Sequence, residues 1–376
     1  MKNVLDAIKH GIRGPSGEWR FRTRWVLFGG AALLGAFIIG LVVWVFLPIE
    51  EISPPRLLPS TAFCFFSLTI DQESPGMSEI LAGAKKRVES SDSWFGKKAA
   101  AKLVISSALP RSIVVTLAAD GSVPVDESSP KRGAPEKGVT AAGEPQEGAA
   151  IVLIAGMGKT VRLMKLSARP LGRALFGGAR AVKRRVDGRR FWVAGQGREE
   201  SRFSAFTFVG NSLVIGSSLP VLVDSCRSLA GGARADTQRR LAALLFQALQ
   251  QKDARLYADN GKGGLSDLFH TAEEKYAFAA FPSIDAVSTI EGSVRVLPGG
   301  MSGGAVFYCR GTEKLEDVKS DVKFIYGALR RKLRASDLDM KGEIAVEGKS
   351  VRFDFTIPGF AQALFARTPS EQGERK

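Results

Sequence analysis

Histidine and cysteine are scarce in this sequence, and their scarcity excludes several kinds of site. The chain of 376 residues contains two histidines and three cysteines. A single histidine, His270, follows the basic N-terminus, which is too few for a histidine metal triad. The cysteines form no C-x-x-C pair, so neither a redox motif nor a zinc ribbon is indicated. We therefore expect no metal and no other cofactor.

The three cysteines leave two interpretations open. Cys64, Cys226 and Cys309 all follow the long apolar run described below, which predicts an oxidising compartment for them. One disulfide with an odd thiol is permitted there. The strand-like, apolar sequence around Cys64 and Cys309 favours the alternative, in which all three are buried free thiols that pack as small hydrophobic side chains.

No catalytic cluster stands out in the sequence. His270 has Asp267 three residues before it and Glu273 and Glu274 just after it, so a helix would place them on one face. No signature serine accompanies them, and a solvated helix face is the favoured interpretation. A carboxylate pair for glycoside hydrolysis depends on tertiary structure, and nothing in the sequence singles one out. We expect a protein that is not an enzyme.

Two glycine-containing segments resemble phosphate-binding loops only in part. GMGKT at 156–160 follows an apolar strand, but the phosphate-loop pattern requires glycine where Leu153 stands. A turn after a strand is the favoured interpretation. GGMSGG at 299–304 offers backbone donors for an anion, although a flexible hairpin turn over 298–304 is the simpler prediction.

The sequence does contain a long hydrophobic run, Trp25–Leu47. These 23 residues carry no charge, and as a helix they would extend ~34 Å, enough to cross the hydrocarbon core of a bilayer. The run is longer than the apolar part of a cleaved signal peptide and lacks a small-residue cleavage site. It predicts an uncleaved transmembrane helix.

The flanks of this run predict its orientation. Six basic and two acidic residues precede it, whereas Glu50 and Glu51 follow it. Positive flanks favour the cytoplasm, so we expect residues 1–24 inside and the rest extracytoplasmic, from the inner membrane of a bacterium. Small residues at four-residue spacing, such as Ala31 and Gly35, permit a homodimer through the run, although they are common in membrane helices generally.

The charge is strongly positive and suggests anionic partners. The formal net charge is +15 at pH 7, and most of it lies beyond the N-terminal tail. Anionic lipid and acidic envelope glycan are the expected partners, protein partners are also possible, and nucleic acid is not expected outside the cytoplasm. A genome with a high GC content, which favours arginine codons, would explain the same composition.

The basic residues concentrate between Lys159 and Arg190, where eleven of them accompany one acid, Asp187. Asp187-Gly188 between alternating segments predicts a two-residue hairpin turn. This register would place Arg185 opposite Arg190, where like charges repel, and Lys183 opposite a tryptophan as a cation–π pair. A bound anion would relieve the repulsion, while a solvated sheet edge protected by charge is the alternative. The candidate anion-binding residues are Lys183, Arg184, Arg185, Arg189, Arg190 and Trp192.

Hairpin signals dominate the remaining pattern and predict an α+β fold. We expect a mostly antiparallel sheet with helices packed on one face. Similar strand–turn–strand–helix layouts at 206–229 and 344–364 suggest two similar units. The predicted organisation is a cytoplasmic tail at 1–24, a transmembrane helix at 25–47, a first unit at 48–232 with a disordered insertion at 121–148, a second unit at 233–366 and a disordered tail at 367–376.

The best-defined part of this pattern runs from LGRALFGGARAV to FTFVGNSLVIGSSLPVLVDSCRSL, residues 171–229. With the membrane run and the basic tail, it resembles uncharacterised bacterial single-pass envelope proteins that have a duplicated α+β extracytoplasmic region. The resemblance implies architecture and location, and it implies no chemistry.

These observations favour a membrane-anchored, non-enzymatic binding or scaffold protein of the bacterial envelope. Two alternatives stay open, namely a subunit of a larger membrane complex and an envelope hydrolase with unrecognised catalytic residues. A pocket in which carboxylates, or a serine and a base, converge would favour the hydrolase.

Overall fold

The fold is taken from a computed structural model. The residues it describes are 49–71, 73–90, 110–119, 149–195, 203–230, 236–251, 253–275 and 281–360. The predicted cytoplasmic tail, the predicted transmembrane helix, the insertion at 121–148 and the C-terminal tail lie outside these ranges. Among the helices within them, none is both long and apolar enough to span a membrane.

Twelve strands of the described residues form one antiparallel sheet, which bears out the α+β prediction. Their spatial order is β11-β12-β10-β9-β8-β1-β2-β3-β7-β6-β5-β4. The strands are β1 Ala62–Thr69, β2 Ser112–Ala119, β3 Ala149–Gly156, β4 Ala181–Val186, β5 Arg189–Ala194, β6 Ala205–Val209, β7 Ser212–Gly216, β8 Ala254–Asp259, β9 Val287–Leu297, β10 Gly300–Cys309, β11 Lys341–Glu347 and β12 Ser350–Pro358.

Seven α-helices of the described residues accompany the sheet. They are α1 Pro75–Ser90, α2 Val161–Leu166, α3 Ala168–Leu175, α4 Leu219–Arg227, α5 Asp236–Gln250, α6 Gly264–Lys275 and α7 Leu315–Arg334. Helix α4 begins at Leu219 because Ser218 caps it by accepting a hydrogen bond from the Val221 amide and a proline stands in its first turn.

Two hydrophobic cores lie on opposite faces of the sheet. The first core places α4 and α5 over β1–β3 and β5–β7, and the second places α6 and α7 over β8–β12. On β8, Tyr257 belongs to the first core and Ala258 to the second. Neighbouring residues of a strand point to opposite faces, so the helices cover both faces rather than one, and that part of the prediction was wrong.

The two predicted units contribute strands to the same sheet. β1 of the first pairs with β8 of the second through Cys64–Ser67 and Arg255–Ala258. The sheet is therefore continuous across the predicted boundary at residue 232. That the two units are similar stays a prediction, which rests on their similar sequence layouts. Strand β8, which forms this junction, was missed by the sequence analysis.

The hairpin turn predicted over 298–304 is shorter than expected. Only Pro298 and Gly299 form the turn, and β10 begins at Gly300. The reason is close packing: a Cβ on Gly303 would lie 2.5 Å from the Ser293 carbonyl oxygen, and one on Gly304 would lie 2.5 Å from the Asp354 carboxylate. The predicted hairpin is therefore confirmed with a shorter turn, while the glycines at 300–304 belong to β10, where they allow neighbouring groups to approach.

Candidate anion-binding cavity

The cavity lies where strands β5 and β6 separate. They pair through only two residue pairs, Trp192 with Phe206 and Val193 with Ala205. Beyond Trp192 the backbones diverge, and the Thr207 hydroxyl crosses the opening to donate a 2.7 Å hydrogen bond to the Arg190 carbonyl oxygen. A cavity of about 650 Å³ occupies this part of the sheet.

Positive side chains dominate the walls of the cavity. Among the described residues that line it, five are cationic and one, Glu50, is acidic. No described carboxylate forms an ion pair with Lys183 or Arg190. The cavity therefore carries an excess of positive charge that a bound anion would neutralise. The cationic residues are Arg56, Lys165, Lys183, Arg189 and Arg190.

The structure brings four of the six predicted site residues together. Lys183, Arg189, Arg190 and Trp192 line the cavity. The other two lie outside its lining: Arg184 is half-buried one position along β4, and Arg185 is exposed with its Nε donating to the Gly188 carbonyl oxygen at 3.2 Å.

The register of the β4–β5 hairpin is the one predicted from the sequence. Arg185 is opposite Arg190, and Lys183 is opposite Trp192. Asp187 and Gly188 have φ values of 50° and 75°, as a type I′ turn requires. The predicted cation–π contact is confirmed, since the Lys183 ammonium lies 4.8 Å from the centroid of the Trp192 ring.

The Trp192 ring is also supported by β6, the strand on the other side of β5. Its ring stacks on Phe206 of β6, with centroids 6.0 Å apart and planes 6° from parallel. Phe206 is fully buried, so the stack connects the rim of the cavity to the packed interior. Lys183 and Trp192 therefore form a supported pair at the side of the opening.

Arg189 faces the opposite side of β5 and contacts the first core. Its side chain lies near the buried thiol of Cys226. Burial raises the pKa of Cys226 to about 11, and Arg189 acts in the opposite direction. The thiol therefore stays protonated near neutral pH.

Lys165 reaches the cavity from α2, a helix distant from the hairpin in sequence. Partial desolvation lowers the pKa of its ammonium, and the positive charge of Arg162 lowers it further. Both effects destabilise the charged form of Lys165, and a nearby anion would oppose them. A ligand with negative charge is thus favoured at this position.

The N-terminal segment closes one side of the cavity. The Ile52 amide donates a 3.0 Å hydrogen bond to the Asn211 side chain in the β6–β7 turn. Gly210 in that turn has a φ of +53°, and a Cβ there would lie 2.6 Å from the Glu50 carbonyl oxygen. Glycine is therefore required for residues 50–52 to lie against the turn.

Sequence reasoning missed three charged residues of this cavity. Lys165 falls inside the basic segment 159–190, but its participation depends on the path of α2. Glu50 and Arg56 precede β1 and reach β5 and β6 only through the tertiary fold. No local pattern links them to the hairpin.

The remaining candidates have structural explanations or lie partly outside the described residues. GMGKT ends β3 and forms a short turn in which the Thr160 hydroxyl donates to the Met157 carbonyl oxygen, as predicted. His270 belongs to α6, but its side chain lies outside the described set. All three cysteines are buried free thiols, and burial raises the pKa of Cys64 to about 12. No group of three potential metal ligands occurs among the described residues.

Comparison with known proteins gives only distant structural similarity. No family model and no curated protein matches this chain. Crystal forms III, I and IV of TP0453 are similar to it over 84% of this chain and 97–99% of theirs, with 11%, 13% and 11% identity and TM-scores of 0.43, 0.41 and 0.42. Similarity at this level does not establish a shared fold or function.

Proposed function

We propose that this protein is a membrane-anchored, non-enzymatic binding protein of the bacterial envelope, and that its cavity between β5 and β6 binds an anionic group. The observation that carries the proposal is the convergence of five cationic side chains on an opening of about 650 Å³ that contains one described carboxylate. Guanidinium groups present several N–H donors to a phosphate or carboxylate, and hydrogen bonds of this kind are among the strongest in proteins.

The arrangement suits an anion that also carries hydroxyl groups, because cationic donors and the Thr207 hydroxyl line the cavity. Arg190 and Lys183 flank the opening, and Trp192 lies between them with its ring supported by Phe206. Lys183 lies over the Trp192 ring and Phe206 stacks on it from the other neighbouring strand, so Trp192 presents the edge of its ring to a ligand. Lipid headgroups and acidic glycans share this combination of an anion with a polyol.

The position of the cavity in the chain supports an envelope anion as the ligand. Glu50 lines the cavity and follows Leu47 by three residues. Three residues of extended chain cover at most ~10 Å. If Trp25–Leu47 spans the membrane as the sequence predicts, a short chain connects the cavity to the headgroup layer.

The test uses the full-length protein in nanodiscs of zwitterionic lipid. Glycerol phosphate and an oligosaccharide of uronic acids are titrated separately, with binding followed by tryptophan fluorescence and the Trp192→Phe variant as the reference signal. Arg190→Gln should weaken binding roughly tenfold or more, because it removes a charged hydrogen-bond donor. The better ligand of the two identifies the source of the anion.

Arg185→Gln is the matched control. It removes the same charge from the same hairpin, directly opposite Arg190, but its side chain lies outside the cavity lining. We expect the Arg185→Gln variant to bind each ligand with an affinity within about twofold of that of the unmodified protein. The lost charge acts on the ligand only at longer range, where salt screens it. An equal loss of affinity in Arg190→Gln and Arg185→Gln would mean that binding reflects only the general positive charge of the hairpin, which would contradict the proposal. Failure of the unmodified protein to bind both ligands would refute it.

A further inference from the structure

A second cavity lies on the other side of the molecule and has the opposite character. It is a groove of about 260 Å³ between α7 and the face of the sheet formed by β8, β9, β10 and β12. Four strands of the sheet order separate β8 from β6, so this groove is independent of the basic cavity. Nothing in the sequence motifs indicated it.

One wall of the groove is a stripe of side chains along α7. Val322, Ile325, Tyr326 and Leu329 follow the spacing that places residues on one face of a helix. Val322 is buried, whereas Leu329 is 40% exposed, so the groove deepens toward the middle of the helix and opens at its C-terminal end.

The floor of the groove is made by small residues on adjacent strands. Gly292 of β9 pairs with Leu256 of β8 on one side and with Ala305 of β10 on the other. A Cβ on Gly292 would stand 3.4 Å from its nearest neighbours, which is ordinary contact. The space above Gly292 and Ala305 is therefore open because of residue size and would accept larger side chains.

The walls offer almost no hydrogen-bonding groups to an occupant. The Tyr326 hydroxyl, one of the few polar side-chain groups there, donates to the Met340 carbonyl oxygen at 3.2 Å. A peptide backbone in the groove would leave its own N–H and C=O groups without partners, at a cost that a hydrocarbon chain avoids. The volume holds roughly nine groups of the size of a water molecule or a methylene.

The open end of the groove is positively charged. Helix α7 has Arg331, Lys332 and Arg334 in its last turn, after Leu329, and of these Arg334 pairs with Asp339, while the acidic residues of the helix, Glu316, Asp317 and Asp321, lie in its N-terminal half. Lys332 follows Leu329 by three residues and so lies on the same side of the helix. A ligand with its chain in the groove would carry its head toward these cations, and a negative head would be complementary to them.

We propose that the groove binds the hydrocarbon chain of an anionic lipid, with the head at the Leu329 end of α7. The apolar walls account for the chain, the lack of polar partners accounts for the preference over peptide, and the basic last turn accounts for the negative head.

The test is photolabelling of the full-length protein in zwitterionic nanodiscs with a fatty acid that carries a diazirine near the end of its chain. Peptides from β8–β10 and α7 should be labelled and identified by mass spectrometry. Ala305→Phe should reduce labelling of these peptides, because filling the floor excludes about three methylene groups, which corresponds to roughly 50-fold weaker binding.

Two further variants keep the test decisive. Val306→Phe adds the same ring one position along β10, on the opposite face, and should leave labelling of these peptides unchanged. Gly292→Val fills the same floor from β9 and replaces Ala305→Phe if that variant does not fold. Labelling confined to 25–47, or labelling in the groove that neither floor variant reduces, would overturn the proposal.

Discussion

The two halves of the sheet differ in how completely their strands pair and in the kind of cavity that results. In the N-terminal half, β1–β7, the pairing of β5 with β6 stops after two residue pairs and a polar opening forms within the sheet. In the C-terminal half, β8–β12, β9 and β10 pair over ten residues and β10 and β12 over nine, so the sheet is closed and its cavity lies on its surface.

The difference shows how strand pairing determines the chemistry of a cavity. Strands that separate expose backbone groups and the charged residues of both faces, which suits a polar ligand. Strands that remain paired present only side chains, and small ones on the apolar face leave a groove for hydrocarbon. Both cavities thus follow from register and residue size within one antiparallel architecture.

The largest expected effects test whether the two halves unfold together. Leu245 in the first core and Ile284 in the second are both fully buried. Replacing either with alanine should lower the free energy of unfolding by about 2–5 kcal/mol, through lost burial and a cavity. Denaturation in detergent micelles, followed by Trp192 fluorescence for the N-terminal half and far-ultraviolet circular dichroism for the whole, should give one shared transition.

Two transitions, each shifted by one variant only, would contradict this expectation. The comparison would then become one between two separately folding units, as the apparent sequence duplication suggests.

The next effect compares two buried amides, one in each half. Asn260 donates to the carbonyl oxygens of Ile284 and Val287 and accepts from two backbone amides, while Gln238 donates to the carbonyl oxygens of Leu58 and Pro59. Asn260→Ala should cost about 3 kcal/mol and Gln238→Ala about 2 kcal/mol, since more buried groups lose their partner at Asn260. Thermal denaturation of both variants measures the difference, and a larger loss for Gln238→Ala would reverse the ranking.

A smaller, pH-dependent effect is expected in the C-terminal half. Arg295 donates to the Asp253 carboxylate at 2.7 and 2.8 Å, and this hydrogen bonding, despite partial burial, lowers the pKa of Asp253. An unfolded aspartate titrates near ~3.9, so the stabilisation is present above that pH and is lost as the pH falls through the lower, folded pKa. The melting temperature of Asp253→Asn should therefore fall less between pH 5 and about pH 2.5 than that of the unmodified protein.

The matched control in the other half is Asp187→Asn. Asp187 contacts Arg227 at 2.7 Å through one nitrogen, and both side chains are well exposed. Exposed pairs of this kind contribute little to stability. An equal change in acid sensitivity for both variants would show that the geometry at Asp253 has no special effect.

The smallest effect concerns the pair at the rim of the cavity. Lys183→Gln should cost about 0.5–1 kcal/mol of folding free energy, because the ammonium contact with Trp192 is lost. Lys349→Gln, in the exposed β11–β12 turn of the other half, provides the reference and should be neutral. Melting temperatures that fall equally would indicate that the Trp192 contact contributes nothing to stability.

The sequence predicted local features well and junctions poorly. The Asp187-Gly188 pair predicted every residue pair of the hairpin correctly, because few other residue pairs adopt its turn conformation. β8 was missed because Ala254–Asp259 is short, contains Arg255 and follows a helix closely. The glycines at 300–304 were interpreted as a turn because their use in the sheet depends on Phe355 and Asp354, which are distant in sequence.

The two cavities also depend on tertiary structure. The sequence identified the basic hairpin, but the separation of β5 from β6 and the arrival of Lys165 and Arg56 depend on how distant segments pack. The groove beside α7 arises from Gly292 and Ala305 on separate strands, and a single small residue in a strand carries no functional signal by itself.

The central place of β1 has a consequence for the order of assembly during synthesis. β1 pairs with β2 soon after both are made, but its other edge pairs with β8, which begins at Ala254. Until that strand emerges, the edge of an apolar segment, AFCFF at 62–66, remains open to pairing with other chains. The interval between synthesis of β1 and arrival of β8 is therefore the period in which we expect the nascent protein to depend most on chaperones.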